Sequence, residues 1–259
     1  MSLRLKFNLA ILFALIVAYV ATGVAVYSIL QRNAKDTVLE TARVMREGAQ
    51  AARAYTMEEV TPLLQQLPVE RFLPQTVPSF AAHMTLRKVR DAYPEYAYKE
   101  AMLNPTNPAD RATDWETDVI MTFRGDGGLG ELVTERVAPV GQFLVLAKPI
   151  RITDEACLRC HSVPARAPAS MLALYGESNG FGWKLDEVIG AQVVSIPMSL
   201  PLAQARETFM IVMAALGGVF LLIIVIVNIL LSLAVVRPVK RLSAIANEVS
   251  MGKLDAPEQ

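Results

Sequence analysis

Cysteine and histidine are scarce in this chain of 259 residues, which has two of each. A structural zinc site normally takes four Cys or His ligands, and two cysteines with two distant histidines are a poor supply. Neither sign of charge is in excess: 25 Lys and Arg balance 25 Asp and Glu, which removes the electrostatic case for a nucleic-acid partner. No Ser/His/Asp set and no plausible carboxylate pair stands out. The glycines from Gly125 to Gly130 lack the strand and helix context of a phosphate loop and read as a turn.

Charge is wholly missing from two stretches, Asn8 to Leu30 and Thr208 to Val236. About 20 apolar residues suffice to cross a bilayer as helix, and both stretches exceed that. They account for a 53% hydrophobic content and a mean hydropathy of +0.35. The first run is too long for a signal peptide's apolar core, so it reads as an uncleaved anchor. Arg4 and Lys6 precede the first run, and Arg237, Lys240 and Arg241 follow the second. The positive-inside rule therefore places both termini in the cytoplasm. The expected division is residues 1–30 for the N-terminus and first span, 31–207 outside, 208–236 for the second span, and 237–259 as a cytoplasmic tail.

Both cysteines and one histidine fall in Cys157-Leu158-Arg159-Cys160-His161. The spacing C-x-x-C-H is the attachment site of a c-type haem. Each thiol forms a thioether to a porphyrin vinyl group, and the adjoining imidazole becomes the proximal iron ligand. A redox-active pair would not need His161 and usually accompanies a βαβ pattern; a plain disulfide stays open. Haem c attachment is expected outside a bacterial plasma membrane, where the charge rule independently places this segment. The expectation is one covalent haem in the periplasmic part of a two-pass inner-membrane protein.

Periodicity supplies the scaffold. Gln31 to Leu67 reads as a long helix with a stripe of Val38, Ala42, Met45, Ala49, Ala52, Thr56, Val60, Leu63 and Leu67. Lys35, Glu40, Arg46 and Glu47 fall off that stripe, whose small residues suit close helix packing or a dimer seam. Pro62 should kink or restart the helix with Thr61 as a cap. A second helix from a Ser79 cap to Tyr93 and a third from an Asp114 cap to Phe123 follow. Strands are expected at 96–101, 131–138, 142–150 and 188–196, the middle two paired as a hairpin. Thr153 or Asp154 should cap the helical turn that carries the motif. The fold class is α+β, an antiparallel sheet with long flanking helices between two transmembrane helices.

Several stretches resemble a family of membrane-anchored c-type haem sensor domains with a PAS-like fold. They are Arg53-Ala-Tyr-Thr56, Val77-Pro78, Tyr98-Lys-Glu-Ala101, Leu103-Asn-Pro-Thr-Asn-Pro108, Asp114-Trp-Glu116 and Pro149-Ile150. The Cys157–His161 motif, Tyr175-Gly176, Gly180-Phe-Gly-Trp183 and Gly190 to Met198 complete the match. The resemblance implies a PAS-like sheet of about five strands holding the haem, and a role in sensing redox state or a small ligand. Arg237 to Gly252 is similar to the first helix of a HAMP relay, with Val239, Leu242, Ile245 and Val249 as its apolar repeat. That implies a homodimer. The second HAMP helix has no counterpart before Gln259, so output is expected from a cytoplasmic partner or from a further C-terminal domain. A membrane-anchored electron-transfer cytochrome is the alternative, and a haem enzyme is the least supported class.

Among lesser candidates, Phe181 and Trp183 are placed to pack on the porphyrin or in the core. Arg159 and Lys184 are candidates for the propionates or for plain surface charge. With no third cysteine a distal thiolate is excluded, and the candidates for a sixth iron ligand are Met45, on the stripe, and His83, flanking the second helix. The resemblance implies a ligand from the first helix, which favours Met45.

Overall fold

The computed structural model describes residues 3–68 and 71–250, with side chains from 4 to 247. It divides into two compact units: residues 33–202 form one, and 1–32 with 203–259 form the other.

In the larger unit, the first helix (α1, Leu3–Tyr55) carries the apolar stripe. It continues through a π-helical turn at Thr56–Val60 into a short helix (α2, Thr61–Leu64). Pro62 thus falls just after the π-helical turn, a change of helical register at the point where the proline lacks an N–H. Thr61 is no cap: its hydroxyl lies 2.8 and 2.9 Å from the carbonyls of Thr56 and Thr76, which share its one proton. A third helix (α3, Pro78–Ala92) starts with Pro78 in place of the expected Ser79 cap. The first strand (β1, Ala97–Met102) precedes a fourth helix (α4, Asp114–Gly125). Thr113, one residue before the expected Asp114, is its N-cap, and the Glu116 carboxylate accepts from the Thr113 N–H at 2.8 Å in a capping box.

Strands β2 (Leu132–Ala138) and β3 (Gly141–Arg151) form the expected hairpin. The motif helix (α5, Glu155–His161) and another short helix (α6, Ala169–Tyr175) lead to β4 (Val188–Pro197). The motif's residue pattern did not forecast α6. All pairings are antiparallel in the order β1-β4-β3-β2, so the sheet has four strands, not the five expected from resemblance.

Central β4 is buried along nearly its whole length because both faces are covered. Ala191 and Val193 pack with Ile120 and Phe123 of α4. Val194 and Ile196 on the opposite face pack with Val38 and Ala42 of α1, and Leu144 and Leu146 of β3 join them. Each such large side chain contributes about 1.5–3 kcal/mol by leaving water. The middle of the α1 stripe is therefore occupied by the chain's own sheet: Val38 and Ala42 are 2% and 0% exposed, whereas Leu63 and Leu67 at its far end are exposed. Gly190 is required where β1 crosses β4, since a Cβ there would collide with the Ala101 carbonyl and lie 2.9 Å from Met102 Cγ.

The smaller unit contains the start of α1, a helix α7 (Ser199–Leu231), a π-helical turn at Ser232–Val236 and a final helix α8 (Arg237–Ser250). Two helices are long and apolar enough to cross a membrane, with window hydropathies of 2.6 and 3.2. Their contacts are those expected of close helix packing: Tyr27 against Phe209, Tyr19 hydroxyl to the Met213 carbonyl at 3.1 Å, and Asn8 to Asn228 at 3.0 Å.

Candidate functional site

Asp154 begins α5, its carboxylate accepting from the Ala156 N–H at 2.7 Å, which settles the choice between Thr153 and Asp154. One helical turn then sets Cys157 and Cys160 three residues apart on neighbouring positions of one face. Both thiols are free and half-buried. Burial pushes both above the ordinary thiol value; the Asp154 charge adds to this at Cys157, while Arg53 opposes it. They are therefore protonated near neutral pH.

His161 closes the helix. Its Nδ1 lies 2.7 Å from the Gly180 carbonyl, which can only accept, so Nδ1 carries the proton. The lone pair is left on Nε2. Burial holds the imidazole pKa below its ordinary value, against the opposing pull of the Gly180 bond, so the ring is neutral. The loop that supplies this carbonyl is tied to the end of α5: Gly182 N–H donates to Ser162 O at 2.9 Å and Trp183 N–H to His161 O at 3.2 Å. These bonds satisfy carbonyls that a helix C-terminus otherwise leaves unmatched.

A second segment locks the loop. Asn104 accepts from the Gly180 N–H and donates to the Phe181 carbonyl, each at 3.3 Å. Gly180 sits at φ +81°, and a Cβ there would collide with Thr106 Oγ1 and lie 2.9 Å from Thr106 Cα. The Leu103–Pro108 and Gly180–Trp183 stretches, far apart in sequence, thus meet around one imidazole. Trp183 stacks on the His161 ring, centroids 4.0 Å apart at 16°. It also joins Cys157, Leu158, Met102, Ile152 and Ile189 in one cluster. Phe181 is half-buried and takes part through its carbonyl; Arg159 and Lys184 are exposed.

The other two candidates lie elsewhere on the same face of the sheet, around Tyr98. Met45 packs with Ala49, Ala82, Leu86 and Tyr98. His83 donates from Nδ1 to the Ser79 carbonyl at 2.9 Å, and its Nε2 faces the Asp110 carboxylate at 3.4 Å and the Glu100 N–H at 3.5 Å. Motif reading missed the group between the two sets. Glu100, fully buried, takes Arg53 on both oxygens at 2.7 and 2.6 Å and the Tyr98 hydroxyl at 2.8 Å. The signal was available in Arg53 and the alternation of Tyr98 and Glu100, but nothing in the sequence paired them. Burial, then the Glu100 charge, raises the Tyr98 pKa far above its ordinary value.

Among the described residues no cluster of three or more His, Cys, Asp or Glu is set to hold a bare metal ion. The site's donors are two free thiols and one oriented imidazole. Clefts of about 270 and 460 Å³ occur near Arg151 and near Lys35, and neither is lined by the motif.

Residues 31–197 match the sequence profile of the Tll0287-like family. This chain belongs to the Tll0287-like family. The Tll0287-like region contains the whole sheet and the motif helix. The crystal structure of the cyanobacterial haem protein Tll0287 is similar at 16% identity and a TM-score of 0.48, covering 61% of this chain and 94% of that one. No curated protein matches the chain.

Proposed function

We propose that this chain is a membrane-bound c-type haem protein, with one haem attached at Cys157 and Cys160 and His161 as proximal ligand. The observation that carries this is the His161 bond to Gly180. A ligating histidine normally donates its other ring N–H to a fixed acceptor, which orients the ring and presents Nε2 to the metal. Here that arrangement stands beside two free thiols one turn apart on the same helix. The residues fit the group. The haem protein Tll0287, named as such, supports the same reading. When bound, the haem supplies a redox couple and a site for a small gas.

For the sixth ligand we favour Met45. Both nitrogens of His83 face partners, whereas the Met45 thioether has apolar neighbours. We read the domain as PAS-like and as a sensor of redox state or a small ligand, binding rather than turning over a substrate. Its output would pass through the two membrane helices to a partner or further domain in the cytoplasm. α8 supports a HAMP-type pairing of two copies: Val239, Leu242 and Ile245 are exposed, while the Val249 side chain lies outside the described residues. The half-buried cysteines also suit a haem edge near solvent, which keeps the electron-transfer reading in play.

Expressed with cytochrome c maturation, the protein keeps haem through denaturing electrophoresis, and Cys157→Ala with Cys160→Ala abolishes that signal. Haem that acid-acetone extracts from the unmutated protein would overturn the assignment. In the ferric protein, Met45→Ala erases a near-infrared sulfur-to-iron band; if His83→Ala alone turns the iron high-spin, His83 is the ligand. Carbon monoxide binding to the ferrous form favours the sensor, and its absence the electron carrier.

A further inference from the structure

Arg46 is a buried charge with no counter-charge beside it in the interior. It is 9% exposed, and its Nε makes no hydrogen bond. It pairs with Glu47, the next residue, whose side chain is 64% exposed and so shares its charge with water. The helical period had set Arg46 off the apolar stripe; the fold turns it inward all the same. Buried polar atoms are nearly always matched, so an unmatched guanidinium nitrogen asks what belongs beside it.

Arg46 precedes Arg53 by seven residues, about two turns, on the same face of α1. The positive charge of both residues reaches the Tyr98 hydroxyl. The floor beneath this face of α1 is ordered in rows by strand register. Tyr98, Val194 and Leu146 form one row, then Glu100, Gln192 and Lys148, then Met102, Gly190 and Ile150. The last row borders the cluster that holds Cys157 and Leu158. The middle row is polar in an otherwise apolar floor.

Arg46, Arg53 and Lys148 are positive. Glu100 is fully buried and bound by Arg53, whereas Glu47 and Glu131, the carboxylates at Arg46 and Lys148, are partly exposed. The carboxylate nearest Lys148 is Glu131 at 3.8 Å, which Arg43 holds more closely at 2.8 Å. Gln192 is 7% exposed and stands beside Glu100 and Lys148 in the middle row. Arg46 Nε is the donor left unmatched on this face, so the occupant that would satisfy it is anionic and accepts hydrogen bonds.

We infer that Arg46, with Lys148 and Gln192 beside it, receives the propionate carboxylates of the haem. The inference rests on the haem reading above. A porphyrin carries its vinyl groups and its propionates at opposite edges. A group tethered at Cys157 and Cys160 therefore sends its carboxylates away from α5. A planar guanidinium is the side chain best matched to a carboxylate.

The test uses the full chain with covalent haem, carrying Arg46→Gln, Arg46→Lys or Glu47→Gln. Arg46→Gln is also placed in the haem-free Cys157→Ala, Cys160→Ala chain. Loss of a positive charge at the propionates favours ferric iron, so Arg46→Gln lowers the midpoint potential. Arg46→Lys restores most of it, and Glu47→Gln does not lower it. Arg46→Gln also lowers Tm of the haem-bearing chain but not of the haem-free chain, where it removes an unmatched charge. An unchanged midpoint, or an equal loss of Tm in both backgrounds, overturns the inference; if the haem-free chain does not fold, the midpoint alone decides. An unmutated chain that attaches no haem overturns the haem reading itself, whereas attached haem indifferent to Arg46→Gln overturns this inference alone.

Discussion

Gly180 shows how much of the site hangs on one residue without a side chain. Its carbonyl fixes the His161 tautomer, its N–H is held by Asn104, and its φ of +81° is a region where a Cβ is strained. Gly180→Ala adds a methyl group against Thr106 and costs about 1–3 kcal/mol in backbone strain. The displaced carbonyl also frees the imidazole to rotate. Lower Tm together with a high-spin fraction in the ferric absorption spectrum is the expected result. A low-spin spectrum identical to the parent's would show that the carbonyl does not orient the ring. The three motif residues were legible in sequence because C-x-x-C-H is a local chemical pattern. Gly180 and Thr106 were not readable as partners of His161, nor Asn104 as the partner of Gly180, since these contacts join residues 19, 55 and 76 apart.

At the scale of elements, helices and strands were found where periodicity was strong, and errors gathered at their ends. Asp114 and Ser79 are good capping residue types, yet Thr113 and the Pro78 turn take those places because the capping geometry depends on how the preceding chain arrives. α1 also meets the hairpin through charge. Lys35 reaches Glu135 of β2 at 2.5 Å, with the side chains 46% and 36% exposed. The Lys35 hydrogen bond, above all, holds the Glu135 carboxyl below its ordinary value of 4.5. A lowered carboxylate pKa stabilises the fold above the unfolded value, and that stability is lost as pH falls through the folded value. Solvent screening keeps the effect below about 1 kcal/mol. Glu135→Gln should therefore lower the urea midpoint slightly at neutral pH and not at an acid pH below the folded value of the carboxyl, where the group is protonated in both states. An equal change at both values would assign the effect to packing.

For the whole molecule, the division of charge along the chain carries the prediction. Basic residues flank the outer ends of both apolar runs; with both runs spanning a bilayer, as proposed, the positive-inside rule predicts residues 31–207 on the opposite side from the two termini. Alkaline phosphatase, active only outside the cytoplasm, should be active when fused after residue 110 and inactive when fused after residue 255. The opposite pattern would overturn both the proposed topology and covalent haem attachment on the outer side.

Sequence by itself determined the apolar runs, the α+β class, the hairpin and the Cys157–His161 motif. All of these rest on local spacing or on composition within one segment, where chemistry and period act over a few residues. Tertiary structure alone decided the sheet order β1-β4-β3-β2 and its count of four strands, because strand neighbours are chosen by packing across the chain. It likewise decided that Arg46 turns inward, and that Glu100 is buried with Arg53. A helical period places a side chain on a face, but which face is covered depends on the sheet that α1 meets. The cost of burying a charge depends on the partners brought to it from other strands and helices.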